Sequence, residues 1–136
     1  MTLEWKDKIS LCDVRMAKAF EFLEDAHANY KENRYKTSIN RSYYAVISAA
    51  RALLILEGIN FLMHEGLITM LSLRFIKPHI LPAAIIKKFK VLLARRTDVD
   101  YGDFDNTTAS DAKDSLKLAK EILSAMDKVR NNLTKK

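Results

Sequence analysis

Glycine (3) and proline (2) are scarce in this chain, and cysteine occurs once. Sheets need many turns, and turns draw on glycine and proline, so their shortage favours long helices with few connections. The single Cys12 excludes an internal disulfide and any multi-cysteine metal site. It falls among the apolar positions of a helical pattern, which reads as a buried, inert thiol. No apolar run reaches the roughly 18–20 residues of a membrane span. The segment 1–10 carries Glu4, Lys6, Asp7 and Lys8 and no signal-peptide core, so a cytoplasmic location is expected and no membrane partner. One sign of charge is also missing locally: from Gly66 to Thr97 there is no Asp or Glu.

What is present fits one globular domain spanning 1–136. Hydrophobic residues make up 49% of the 136 and charged ones 29%. The net charge of +6 and pI near 9.4 permit a polyanionic partner without requiring one. Apolar residues recur at three- and four-residue steps, as amphipathic helices require. Trp5, Ile9, Cys12, Met16, Ala19, Phe20, Leu23, Ala26 and Tyr30 mark a first helix, about 3–30. Tyr43, Val46, Ile47, Ala50, Leu53 and Leu54 mark a second, about 33–57, flanked by Ala45, Ala49 and Ala52 and stopped at Gly58. Leu67, Met70, Leu71, Leu73 and Phe75 mark a third, about 64–76, ended by Pro78. A fourth, about 81–100, has Pro82 near its first turn and the stripe Ile85, Phe89, Leu92. Thr108 with Asp111 three residues on reads as a capping box for the last helix, about 108–131. No strand-like alternation competes. The expected fold is all-α, an up-and-down bundle of four to five helices.

The acid-free span carries Arg74, Lys77, Lys87, Lys88, Lys90, Arg95 and Arg96; then Asp98, Asp100, Asp103 and Asp105 arrive together, with no base until Lys113. Such a charge reversal at a helix end concentrates field. Ile85, Phe89, Leu92, Arg96 and Val99 continue one stripe, so Arg96 faces the core and needs a partner or an anion. Asp100, one turn on, can pair with it internally; an external anion is the other reading. A second polar line runs along helix two, Arg41, Tyr44, Ser48 and Arg51, a combination that suits phosphates or bases as well as solvated surface. Elsewhere the signals are bland. His27, His64 and His79 lack ligand spacing, Asp98-x-Asp100 lacks the rest of a calcium loop, and no glycine-rich phosphate loop or nucleophile triad can be assembled. No metal or cofactor is expected. Lys87, Lys88 and Lys90 read as a solvated face.

Three stretches resemble one family. Asn40 to Leu54 (NRSYYAVISAARALL) is similar to the SRAYYAMFHAARALL helix of small bacterial and archaeal HEPN-domain proteins. His64-Glu65-Gly66 resembles that group's H-x-G, and Arg96 to Gly102 its R-x-x-A-D-Y-x. With Ala112 to Leu123 as the last helix, the likeness covers roughly 10–126. It implies a helical bundle that dimerises and binds RNA or nucleotide. It also implies a toxin-like role beside a minimal nucleotidyltransferase partner, and metal-independent ribonuclease chemistry in members with an arginine–histidine pair. Arg96 and Tyr101 match the family's arginine and terminal tyrosine as candidate catalytic residues; Arg41, Tyr44, Arg51, Asp100 and His64 are the candidate binding residues. The sequence departs at one place: no histidine follows Arg96 within six residues, and Ser48 replaces the histidine of the family's second helix. The usual proton-transfer partner for a ribose 2′-hydroxyl is therefore missing from the motif.

Overall fold

A computed structural model describes residues 2–60, 63–102 and 106–135, without the side chains of His64 and Glu65. Asp103 and Asp105 of the acidic run, and the His64 side chain, lie outside the described residues. The elements are α1 (Trp5–Lys31), α2 (Tyr35–Leu56), α3 (His64–Leu71), a π-helical turn (Ser72–Ile76), α4 (Ala84–Tyr101) and α5 (Ala109–Thr134). Among the described residues there is no strand. No helix there is long and apolar enough to cross a membrane.

The helix ends follow from local chemistry. Asn33 adopts φ 64°, and the Asn33 and Arg34 amides donate to the Tyr30 and Asn29 carbonyls at 3.0 and 2.8 Å. That is a Schellman close, with asparagine in the left-handed position. Gly58 does the same after α2 at φ 75°, its amide and that of Ile59 reaching the Ile55 and Leu54 carbonyls. At α5 the capping box forms: the Thr108 hydroxyl accepts from the Asp111 amide at 3.1 Å, and the Thr108 amide donates to Asp111 at 3.3 Å. Thr108→Ala is expected to lower unfolding free energy by about 1 kcal/mol, read from a chemical-denaturation midpoint, with the slope unchanged.

Helix α2 runs through the middle. Ser38, Ile39, Ser42 and Tyr43 are buried, as is the run from Ala45 to Ala50 and that from Ala52 to Leu56. The alanines keep this helix thin, so α1, α4 and α5 can pack around it. Ser38 donates to the Ala26 carbonyl (2.7 Å) and Ser48 to the Arg15 carbonyl (2.8 Å), which sets α1 and α2 antiparallel. Arg95–Asp114 and Lys88–Glu121, both 2.7 Å, set α4 antiparallel to α5. Arg130 bridges Asp127 and Asp13, closing α5 onto α1. The result is the up-and-down bundle expected.

Some details differ from the sequence reading. Trp5 and Phe20 on α1 and Leu73 in the third helical segment are exposed, although their spacing placed them in the core. Trp5 starts α1 with no second helix beyond it, and Phe20 sits on the shoulder of the stripe whose centre is Cys12, Met16 and Ala19. The third segment does not continue as one α-helix to 76. It widens into the π-helical turn, which rotates Leu73 outward while keeping Phe75 buried. Helix α4 begins at Ala84, after Pro82, and α5 extends to Thr134.

Candidate functional site

Helix α4 delivers Arg96, Asp100 and Tyr101 in its last two turns, where it crosses the start of α2. The Arg96 side chain is 16% exposed. Its Cζ lies 5.4 Å from the centre of the Tyr43 ring and 5.8 Å from those of Tyr44 and Tyr101. One terminal nitrogen, Nη2, donates to the Tyr44 hydroxyl at 3.3 Å. Nε is buried and stands 2.8 Å from Asp100 Oδ2, an ionic contact outside hydrogen-bond alignment. Asp100 in turn accepts from Asn40 Nδ2 at 3.4 Å, tying the end of α4 to α2. Among the described residues no partner holds Nη1, so that edge of the guanidinium keeps open donors. Tyr101 is 72% exposed and forms the outer wall.

The local sequence explains the arrangement. Phe89 and Leu92 lock α4 onto the core, and Phe89 meets Tyr43 edge-on at 6.3 Å. Arg96, on the same stripe, then lands over the tyrosine pair of α2. Gly102 ends the helix at once: a Cβ there would come within 2.5 Å of the Asp98 carbonyl oxygen, so only glycine lets the chain leave directly behind Tyr101.

Burial works against the charge on Arg96, but the Tyr44 hydroxyl and the nearby Asp100 outweigh it, and its pKa moves up. The guanidinium is permanently charged. Burial likewise pushes the Tyr43 hydroxyl up to about 12, against the pull of Arg96, so Tyr43 is a neutral phenol. The site is one fixed cation in an aromatic enclosure, with an internal carboxylate competing for it.

The structure brings Arg96, Tyr101, Asp100 and Tyr44 together. Arg41 lies one step away, its Cζ 5.9 Å from the Phe22 ring, which packs 6.0 Å from Tyr44 and also carries Lys18 at 5.8 Å. Arg51 is not part of this cluster; it sits two turns further along α2, beside Arg15. Tyr43 reads from sequence as a core residue that also, with Tyr44 beside Arg41, hints at a shallow site; Phe22, Lys18 and Asn40 carry no such signal. Their common signal is the face of α1 and α2 that meets at Tyr44, which becomes visible once the helix pairing is known. A separate groove of about 970 Å³ opens between α1 and α5, lined by Leu23, His27, Tyr30, Leu116 and several lysines. None of the candidate site residues lines it.

Comparison with known proteins points one way. The HEPN domain model matches residues 13–129. A UPF0332 protein of Thermotoga maritima is 27% identical over 127 residues, covering 93% of this chain and 96% of that protein. A UPF0332 protein of Pyrococcus horikoshii is 39% identical over 56 residues, covering 41% of this chain and 39% of that one.

Proposed function

This chain belongs to the HEPN domain family, and on that premise we propose that it binds RNA or nucleotide phosphate at the Arg96 enclosure. In this reading it is the toxin-like half of a two-protein module with a minimal nucleotidyltransferase, and it works as a homodimer. One observation carries the binding step: a permanently charged guanidinium stacked among Tyr43, Tyr44 and Tyr101, whose Nη1 has no partner among the described residues. A phosphate oxygen takes the open donors, and a base stacks on the exposed Tyr101 ring. Arg41 and Lys18, flanking Phe22, extend positive charge along the same face.

Cleavage asks for more than this site holds. Attack by a 2′-hydroxyl needs a proton acceptor, and the six residues after Arg96 contain no histidine. Tyr101 offers a phenol hydroxyl that can donate a hydrogen bond to a phosphate oxygen. The reading is therefore of binding without turnover. Incubating the purified full chain with tRNA and total RNA in chelator tests both parts. Salt-sensitive binding with intact RNA supports it. Arg96-dependent cleavage makes the protein a ribonuclease instead, and no binding at low salt ends the proposal.

Asp100 gives a sharper check. It competes with any external anion for Arg96, so Asp100→Asn is expected to tighten RNA binding by roughly two- to fivefold, the scale of a partly exposed ion pair. If Asp100 only fixes a dimer contact, the same change alters the sedimentation of the dimer and leaves RNA affinity where it was.

A further inference from the structure

Two other arginines face each other across the α1–α2 seam, away from Arg96. Arg15 Nη1 donates to the Arg51 carbonyl at 3.4 Å, and Nη2 to Asn60 Oδ1 at 2.9 Å. The Ser48 hydroxyl grips the Arg15 carbonyl at 2.8 Å, so the backbone of α1 is fixed at this point. Arg51 has no such arrangement. Its Nε is buried and makes no hydrogen bond among the described residues. Among the described residues no carboxylate lies within ion-pair distance of either guanidinium. Lys8 lies further along the seam, its Nζ 3.6 Å from where a Cβ on Gly58 would stand. Burial, and next the charge of Arg51, draw the Arg15 pKa down.

Like charges held together with a buried donor unmet are costly. Arg95 is paired with Asp114, Arg96 with Asp100, and Arg130 with Asp13 and Asp127, whereas this pair of arginines shares one seam with no acid within ion-pair distance among the described residues. The carbonyls ending α2 attract Lys8 and Arg15, which accounts for part of the cluster. They leave Arg51 unexplained. Each guanidinium is a planar fork of donors, and a tetrahedral oxyanion within reach of both has oxygens enough to accept from each.

We propose that Arg15 and Arg51 form a second phosphate-binding site, distinct from Arg96, on the α1–α2 seam. Its ligand is a phosphate group, supplied either by a nucleic-acid strand or by free phosphate. The site lies on the same face of α2 as Arg41 and Tyr44 and about 10 Å along the helix from Tyr44. A strand seated at Arg96 could reach it by running along the seam, but the site does not depend on that reading.

The test uses the full chain and inorganic phosphate, with sodium acetate at matched ionic strength as control, and follows the Arg51 Nε–Hε resonance by NMR. A saturable shift with phosphate only, kept in Arg96→Ala and lost in Arg15→Gln, supports the site. No saturable shift, or an equal one with acetate, overturns it, and the wild-type titration decides this without any variant folding. Thermal denaturation gives a second readout. Phosphate should raise the wild-type midpoint above the acetate value, and Arg51→Gln should lose most of that gain; an undiminished gain overturns the site. An RNA arm identifies the source of the phosphate. If a strand contributes it, the slope of log affinity against log salt for oligouridylate falls by about 0.7 in Arg51→Gln. An unchanged slope with the resonance shift intact assigns the site to free phosphate. Loss of RNA binding in Arg96→Ala, with the Arg51 shift intact, separates the two sites.

Discussion

Arg96→Ala is expected to weaken single-stranded RNA binding by about 30-fold, the scale of an interface arginine worth about 2 kcal/mol. The bundle itself should barely notice. The Arg96–Asp100 pair is partly exposed on its carboxylate side, and such pairs contribute at most about 1 kcal/mol. The tyrosines keep their packing against Phe22 and Phe89. Electrophoretic or fluorescence binding curves, set beside a denaturation curve, separate the two quantities. Arg96→Lys is expected to recover only part of the loss. A lysine restores the charge but cannot lay a flat guanidinium across the rings or keep Nη2 on the Tyr44 hydroxyl. Equal affinity in wild type and Arg96→Ala would remove the enclosure from the binding surface.

Alkali should unfold this protein through two buried groups. Burial raises Cys12 from 9.0 to about 11, and Tyr43 from 10.0 to about 12. Each folded pKa lies above the ordinary value, so folding favours the protonated form. That stability is complete below the ordinary pKa and is lost as pH rises toward the folded one. The window therefore runs from about pH 9 to about pH 12. A shift of two units corresponds to roughly 2–3 kcal/mol per group, so together they remove about 5 kcal/mol. That is a large part of the roughly 5–15 kcal/mol of an ordinary domain. Denaturation midpoints measured across the window test it. The comparison is with Tyr43→Phe and Cys12→Ala, which leave every other group unchanged. Each variant starts from lower stability, because it loses a buried contact, but should decline less steeply. Parallel declines in all three proteins would mean that neither group is held neutral by the fold.

The helices were legible because three- and four-residue spacing survives without tertiary information. Their ends were legible where turn chemistry is specific: Gly58, and the Thr108–Asp111 box. Phe20 and Leu73 were misplaced for a physical reason. Periodicity gives a stripe, but not how wide a neighbour covers it, nor that a π-helical turn will rotate one residue out of phase. The site shows the same division. The step from Arg96 to Asp100 lies within one helix and could be read directly; the pair forms at 2.8 Å. The contacts of Phe22 with Tyr44 and of Arg15 with Arg51 join helices, and depend on which faces of α1 and α2 meet. Arg51 was grouped with Tyr44 on the strength of a shared face. Two helical turns separate them, enough to put them in different surroundings.

Asp100 and Tyr101 are the last two residues of α4, and Gly102 ends the helix without a further turn. Terminal turns open at little cost in free energy, well below that of global unfolding. When this one frays, the carboxylate swings off Nε and the outer ring of the enclosure leaves with it, while Arg96 stays seated on Tyr43 and Tyr44. Release of the Nε edge from its internal carboxylate is thus a property of helix fraying rather than of acid–base chemistry. Amide hydrogen exchange at Val99, Asp100 and Tyr101 would follow that opening directly, and any variant that stiffens the last turn would hold the carboxylate on Nε for longer.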